Sequence, residues 1–393
     1  MRFAAAVLAL AVATAGCGGS DDRSAKGTGT PTPSPEPEPT AVIEEPGTVE
    51  RGSQADALKA VAVHARKLED GDAFSGAVLV AKDGRVLFKR AYGMADREQG
   101  VPNTLRTRFR IGSMNKMITA VATLQLVEAG KLDLDGRLVE YLPDYPNRNV
   151  ARKVTIHHLL THTSGNGDIF GAKFEENRDE LRAHADYVEL YGKRTLGFEP
   201  GDDWRYSNYG FILLGVVIER VSGQSYYEYV QEHIYERAGM SRSGSEPESE
   251  EVVDRSVGYM KPPGETEWSA NTDTLPYRGT SAGGGYSTVG DLARFGDALL
   301  RGELLSPRST KLLITGKTEP LMGPGFKYAY GFFDARLPGG TGWVGHGGGA
   351  PGMNGDLRIY PKTGYVVTAL ANLDPPAADQ VTEYLDRLLP REG

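Results

Sequence analysis

Hydrophobic and polar positions follow different periods along the chain. From Ala55 to Glu69, the residues Leu58, Val61, Ala62, Ala65 and Leu68 recur at helical spacing, and Gly71 follows as a stop. Residues 75–93 (SGAVLVAKDGRVLFKRAYG) hold two apolar runs split by Asp83-Gly84. Asp-Gly between β-rich runs predicts a hairpin. A second hairpin is predicted near the C-terminus, where Asp356–Tyr360 and Tyr365–Ala371 flank Pro361-Lys362-Thr363-Gly364, and a last helix over about Ala377–Leu389 closes the chain. Between the hairpins, Met114–Glu128, Ile156–Leu160 and Phe211–Val221 read as helical runs. Apolar residues lie nearly all round the first of these, so it is predicted to be buried on most faces. The pattern as a whole predicts an α+β fold: an antiparallel sheet flanked by helices, with a mostly helical inserted subdomain. The two ends of residues 55–393 are expected to share that sheet.

Residues 1–54 are organised differently. Arg2 precedes an apolar run from Phe3 to Val12, and small residues lead to Cys17. This reads as a secretory signal, too short to span a bilayer comfortably as a helix. Its ending, Thr14-Ala15-Gly16-Cys17, resembles a bacterial lipobox, although Thr stands where Leu is usual. The resemblance implies a signal over 1–17, acylation of Cys17 and an extracytoplasmic enzyme held to the membrane by lipid. The alternative is an ordinary cleaved signal, an incidental cysteine and a secreted product. Residues 18–54 include TPTPSPEPEPT and no apolar period, which predicts a disordered, Pro-rich tether. As a flexible coil it would reach roughly 30–35 Å. Residues 55–393 show no internal repeat and are expected to form a single domain.

Composition narrows the classes. Across 393 residues, 44 Lys and Arg against 52 Asp and Glu give a net charge of −8, which argues against nucleic acid as a partner. One cysteine excludes a disulfide framework and a cysteine-based zinc cluster. Glycine, at 50 residues, is well above the usual ~7% and marks turns and close backbone approaches.

Three short patterns bear chemistry. Ser113 and Lys116 lie one turn apart at the start of the predicted buried helix. A serine hydroxyl is a poor nucleophile until a neighbour accepts its proton, and a desolvated lysine can be that neighbour. Tyr206 and Asn208 are two apart in a segment before the next helical run. A phenol beside an ammonium is expected to have its pKa lowered, and Asn208 offers a donor and an acceptor to a substrate amide. His346-Gly347-Gly348-Gly349 presents a backbone without side chains, against which a substrate can lie.

In that order these motifs resemble the family of penicillin-binding proteins and class C β-lactamases, which also holds D-alanyl-D-alanine carboxypeptidases and esterases. The family pattern is Ser-x-x-Lys, Tyr-x-Asn, then Lys or His followed by x-Gly. Flanking stretches match as well: LLTHTSG (159–165), YSNYGFILLGVVIERVSG (206–223), SAGGGYSTVGDLARF (281–295) and GHGGGAPGMNG (345–355). The resemblance covers about residues 55–390. It implies that Ser113 is a nucleophile forming an acyl-enzyme, and that Lys116 and Tyr206 share acid and base work. Asn208 would orient the substrate, and His346 would replace the third-motif base or cation. The N–H groups of Ser113 and Gly349 would form an oxyanion hole, with Gly348 in the substrate-binding strand. It implies a small peptide, ester or β-lactam as substrate, a cell-wall peptide among them, and no metal or cofactor.

The third motif departs from the Lys-Thr-Gly of many β-lactamases. His346-Gly347-Gly348 lacks the hydroxyl and the permanent charge that receive a substrate carboxylate, which favours a peptidase or esterase over an efficient β-lactamase. A non-catalytic sensor that traps an acyl group is the rival reading. A literal Lys362-Thr363-Gly364 falls in the predicted hairpin turn and reads as structural. So does Tyr145-Pro146-Asn147, which repeats the Tyr-x-Asn spacing between prolines. Gly279–Gly283 matches G-x-S-x-G without the buried strand and helix of a nucleophile elbow. Gly347–Gly352 matches G-x-G-x-x-G with Pro351 inside it and no helix after it. His157, His158 and His162 sit beside leucines on what reads as one short helix, and are expected to be structural rather than metal ligands.

Overall fold

The computed structural model describes residues 52–272, 274–319, 323–336 and 342–390. The predicted signal with Cys17, and all of the predicted tether but its last three residues, lie outside the described residues. The first helix, α1 (Gln54–Asp70), starts one residue ahead of the predicted domain boundary. Ser53 caps it: its Oγ accepts from Asp56 N, and the Asp56 carboxylate accepts in return from Ser53 N.

Both predicted hairpins form. Strands β1 (Gly76–Lys82) and β2 (Arg85–Tyr92) turn at Asp83-Gly84. Helices α2 (Asn115–Glu128), α3 (Ile156–Leu160), α4 (Asn208–Ser222) and α5 (Val289–Leu300) follow. The sheet resumes with β3 (Phe326–Tyr328), β4 (Phe333–Ala335), β5 (Trp343–Ala350), β6 (Met353–Tyr360) and β7 (Tyr365–Ala371), and α6 (Asp379–Leu388) ends the domain. The seven strands are antiparallel throughout in the order β2-β1-β7-β6-β5-β4-β3. The two ends of the domain therefore meet directly, with Val78 opposite Ala369.

Both faces of the sheet are covered. Val78 and Val80 join Val61 and Ala65 of α1, and Val381 and Leu385 of α6, in one apolar cluster. Ala77, Leu79 and Ala81 point the other way into a larger cluster shared with α2, α4 and α5. Burial on both faces is why β1 reads as a continuous apolar run rather than an alternation. Leu385 is fully buried between α6 and the sheet. Leu385→Ala is expected to cost about 2–5 kcal/mol, the range for a buried leucine truncated to a methyl, read as a lowered midpoint in chemical denaturation.

Two helix starts differ from the sequence reading. Gly112–Met114 forms a 3₁₀ turn, so α2 begins at Asn115 rather than Met114. Helix α4 begins at Asn208, three residues before Phe211, because Ser207 Oγ accepts from Gly210 N and caps it. As expected, α2 is buried nearly all round, from Asn115 to Leu124 without a break.

Candidate active site

Ser113 sits in the 3₁₀ turn that feeds α2, in a backbone slot between two glycine segments. On one side is Gly348 of β5, and on the other Gly283 of the loop before Tyr286. A Cβ on Gly348 would lie 2.0 Å from the Ile111 carbonyl oxygen and 3.1 Å from Ser113 N, so only glycine admits this approach. Gly112 has φ +51 and also faces Gly349, where a Cβ would meet the Gly349 nitrogen at 3.2 Å. The Ser113 turn and the Gly348–Gly349 segment are thus packed against each other through their backbones. Strand β4 pairs with β5 only as far as Gly345, so among the described residues no other strand of the sheet covers the edge from His346 to Ala350. Gly349 on that edge is exposed. Asn354, on β6, holds the edge from behind: its Nδ2 donates to the Gly348 carbonyl, and its Oδ1 accepts from Ala378 N at the start of α6.

Lys116 is fully buried, and burial pushes its ammonium down to about 7, while Asp168 nearby opposes the shift. Its Nζ lies 2.7 Å from Asn208 Oδ1, 2.6 Å from the Ala282 carbonyl oxygen and 3.2 Å from Ser113 Oγ. The first two oxygens only accept, so a neutral amine spends both its N–H bonds on them. Its lone pair then faces the Ser113 hydroxyl. The amide of Asn208 is oriented by Asp168, whose carboxylate accepts from Asn208 Nδ2 and from Asn208 N, each at 3.1 Å. Asp168 thus turns Oδ1 toward Lys116. Asp168→Asn is expected to lower kcat/KM by about 10–100-fold, because loss of one charge-assisted bond frees the Asn208 amide to flip. Steady-state kinetics beside a melting curve would separate this from unfolding.

The Tyr206 ring lies 4.6 Å from Lys116 Nζ, and its phenol is near enough to Ser113 to feel its hydroxyl. Here the sequence reading is corrected. Lys116 was expected to lower the phenol pKa; burial instead raises it well above the usual tyrosine range, so Tyr206 is a neutral phenol at physiological pH. A second correction concerns His346. It is buried, and burial together with the Lys116 charge pushes its pKa down to about 3, so it is a neutral imidazole and supplies no cation. A third concerns His162. It lies beyond α3, with its ring centroid 4.3 Å from that of Tyr206, and so belongs to the site's surroundings. His157 and His158 have protein partners, the Tyr330 hydroxyl and the Thr155 amide. Among the described residues no group of three or more His, Cys, Asp or Glu is placed to hold a metal ion.

The decoys fall elsewhere. Ser281 is fully buried and donates to the Phe211 carbonyl. Tyr145 shares a hydrogen bond with Tyr209, and Asn147 caps a short helix. The Gly347–Gly352 segment is β5 and its turn into β6, not a helix entry. Lys362-Thr363-Gly364 forms the β6–β7 turn, roughly 20 Å along β6 from the glycines beside Ser113. Asp168 and the Ala282 carbonyl were not singled out from sequence. The first carries no local pattern, and the second is a backbone atom whose side chain is irrelevant.

A serine beside a buried lysine poised between its charged and neutral forms, a neutral tyrosine and a bare glycine strand edge is the apparatus of a serine hydrolase. The comparisons agree: the chain belongs to the beta-lactamase family, whose model matches residues 61–390. It is 31% identical over 322 residues to the putative penicillin-binding protein PbpX of Bacillus subtilis, covering 81% of this chain and 76% of that one. It is 34% identical over 225 residues to the esterase EstB of Burkholderia gladioli, covering 53% of this chain and 57% of that one. The structure of a penicillin-binding protein from Bacillus halodurans superposes with a TM-score of 0.74 at 34% identity, over 83% of this chain and 99% of that one.

Proposed function

We propose that this enzyme hydrolyses esters and peptide bonds through an acyl-enzyme on Ser113, with Lys116 as the general base. The observation that carries the reading is the set of three contacts around Lys116 Nζ, which aims a lone pair at the Ser113 hydroxyl. Lys116 takes the Ser113 proton as Oγ attacks the substrate carbonyl carbon, and the carbonyl π electrons move to oxygen. The amides of Ser113 and Gly349 stabilise that oxyanion. Collapse restores the carbonyl and breaks the bond to the leaving group. Tyr206 gives its phenolic proton to the departing oxygen or nitrogen and regains one from the Lys116 ammonium. Water then attacks the acyl carbon, giving its proton to Lys116; collapse breaks the bond to Ser113 Oγ, the Lys116 ammonium returns the proton to that oxygen, and the acid product leaves.

The substrate lies along the open edge of β5. Neutral His346 offers no positive charge to a substrate carboxylate, so the order of preference is uncharged esters and amides, then D-Ala-D-Ala peptides, then β-lactams. Relatives named as penicillin-binding proteins and an esterase are compatible with this range. A panel of a short-chain nitrophenyl ester, a diacyl-D-Ala-D-Ala peptide and a chromogenic cephalosporin tests the order. Ester turnover that exceeds the other two and vanishes in Ser113→Ala supports it. Equal rates in both proteins, or a penicillin adduct that forms without turnover of any substrate, would overturn it in favour of a sensor. We further propose that the enzyme is held outside the cytoplasm by acylated Cys17, a reading that the lipobox-like Thr14-Ala15-Gly16-Cys17 supports. Cys17→Ser is expected to move it from the detergent phase to the aqueous phase in a Triton X-114 partition.

A further inference from the structure

Beneath the site, three buried side chains from distant parts of the chain touch end to end. Ser207 N donates to His162 Nδ1 at 3.2 Å. His162 Nε2 lies 3.0 Å from the Tyr328 hydroxyl, and that hydroxyl lies 3.2 Å from His346 Nε2. His346 Nδ1 bonds to the Gly347 carbonyl. All three residues are at most 3% exposed, so water does not complete their bonding.

The two ends fix every proton between them. A backbone N–H only donates, so His162 Nδ1 is an acceptor and its proton is on Nε2. A carbonyl only accepts, so His346 carries its proton on Nδ1 and accepts at Nε2. Tyr328 then has one consistent role: it accepts from His162 and donates to His346. A proton added to His346 Nε2 would leave the Tyr328 hydrogen with no acceptor in this chain. We infer that His162 and Tyr328 are positioning residues of the active site. With His346 they form one directional hydrogen-bond chain that ties the Tyr206 loop to the substrate edge of β5 and holds His346 as its Nδ1–H tautomer.

Two further observations support this. His162 has φ +60, a left-handed backbone that a residue with a Cβ adopts at a cost, yet a histidine rather than a glycine stands there. Burial and the facing charge of Lys116 both push the His162 and His346 rings toward the neutral form that the chain requires. The consequence for catalysis is geometric. His162 packs under the Tyr206 ring, and His346 lies on the strand that carries Gly349, so the chain sets the distance between the proton shuttle and the oxyanion hole.

The inference rests on the proposed role of Ser113, and its test separates the two. Full-length protein labelled with ¹⁵N-histidine is read by two-bond ¹H–¹⁵N correlation from pH 5.5 to 9, with the His346 signals assigned by their absence in His346→Gln. The expected result is an Nδ1–H pattern for His346 and an Nε2–H pattern for His162, neither titrating. Tyr328→Phe keeps the ring and removes the hydroxyl. It is expected to shift the His346 Nε2 signal, which loses its donor while Nδ1 stays protonated against the Gly347 carbonyl, and to lower kcat about 10–100-fold, with KM changed less than threefold. An Nε2–H or titrating His346 in the wild type would overturn the chain, and that measurement needs no variant to fold. Tyr328→Phe with kcat within twofold of wild type would overturn the positioning role. The tautomer pattern is independent of which serine reacts, so failure of Ser113 to acylate would be seen separately.

Discussion

Replacing Lys116 with methionine is expected to lower kcat/KM by about 10²–10⁴-fold, the usual contribution of a positioned general base. Methionine keeps much of the unbranched stem in its buried slot and removes only the amine. Lys116→Arg is expected to fail as badly, because a guanidinium keeps its charge and has no lone pair to offer Ser113. That pair of variants distinguishes a base from a fixed positive charge, since a charge-only role would leave the arginine enzyme active. The pH dependence carries the same sign. The working form is the unprotonated amine, so wild-type kcat/KM rises as pH climbs through about 7, where burial places the Lys116 pKa. The neutral phenol of Tyr206 and the neutral ring of His346 contribute no second ascending limb in that range. Activity that falls as pH rises through 7 would contradict the assignment.

Gly348→Ala is expected to lower kcat by at least about 100-fold, a loss comparable to removing one oxyanion donor. The added methyl meets backbone on the far side, the Ile111 carbonyl at 2.0 Å, and no side chain can swing aside to admit it. The β5 edge must move away from Ser113, and Gly349 N moves with it. The neighbouring position is a built-in control. A Cβ on Gly347 finds nothing nearer than 3.5 Å, so Gly347→Ala is expected to lose far less activity. Stopped-flow acylation beside a denaturation curve reads both effects. Equal losses at the two positions would mean that the close approach of β5 to the Ser113 turn does not matter.

Much of this was legible in the amino-acid sequence where physics acts locally. Asp83-Gly84 fixes a hairpin because the turn demands its residues. Ser113 and Lys116 share a helix face because they are three apart, and the apolar ring around α2 foretells the burial that lowers the Lys116 pKa. What was not legible depends on contacts between distant segments. Asp168 reaches Asn208 across a loop, Ala282 contributes only a carbonyl, and Tyr328 meets His162 and His346 from a three-residue strand. The sign of the Tyr206 shift belongs here too. Proximity to an ammonium argued for a lower pKa, but the depth of burial decides, and depth is a property of the fold. The glycines of β5 were legible as a bare backbone, but their partner, the Ile111–Ser113 turn, was not.

The central claim is that Ser113 carries the acyl group. Acid-quenching the enzyme milliseconds after mixing with a nitrophenyl ester, followed by peptide mass mapping, tests it directly. The acyl mass is predicted on the peptide containing Ser113 and on no other, and it is absent in Ser113→Ala. An acyl group on the peptide containing Ser281, or an adduct that persists in Ser113→Ala, would contradict the account.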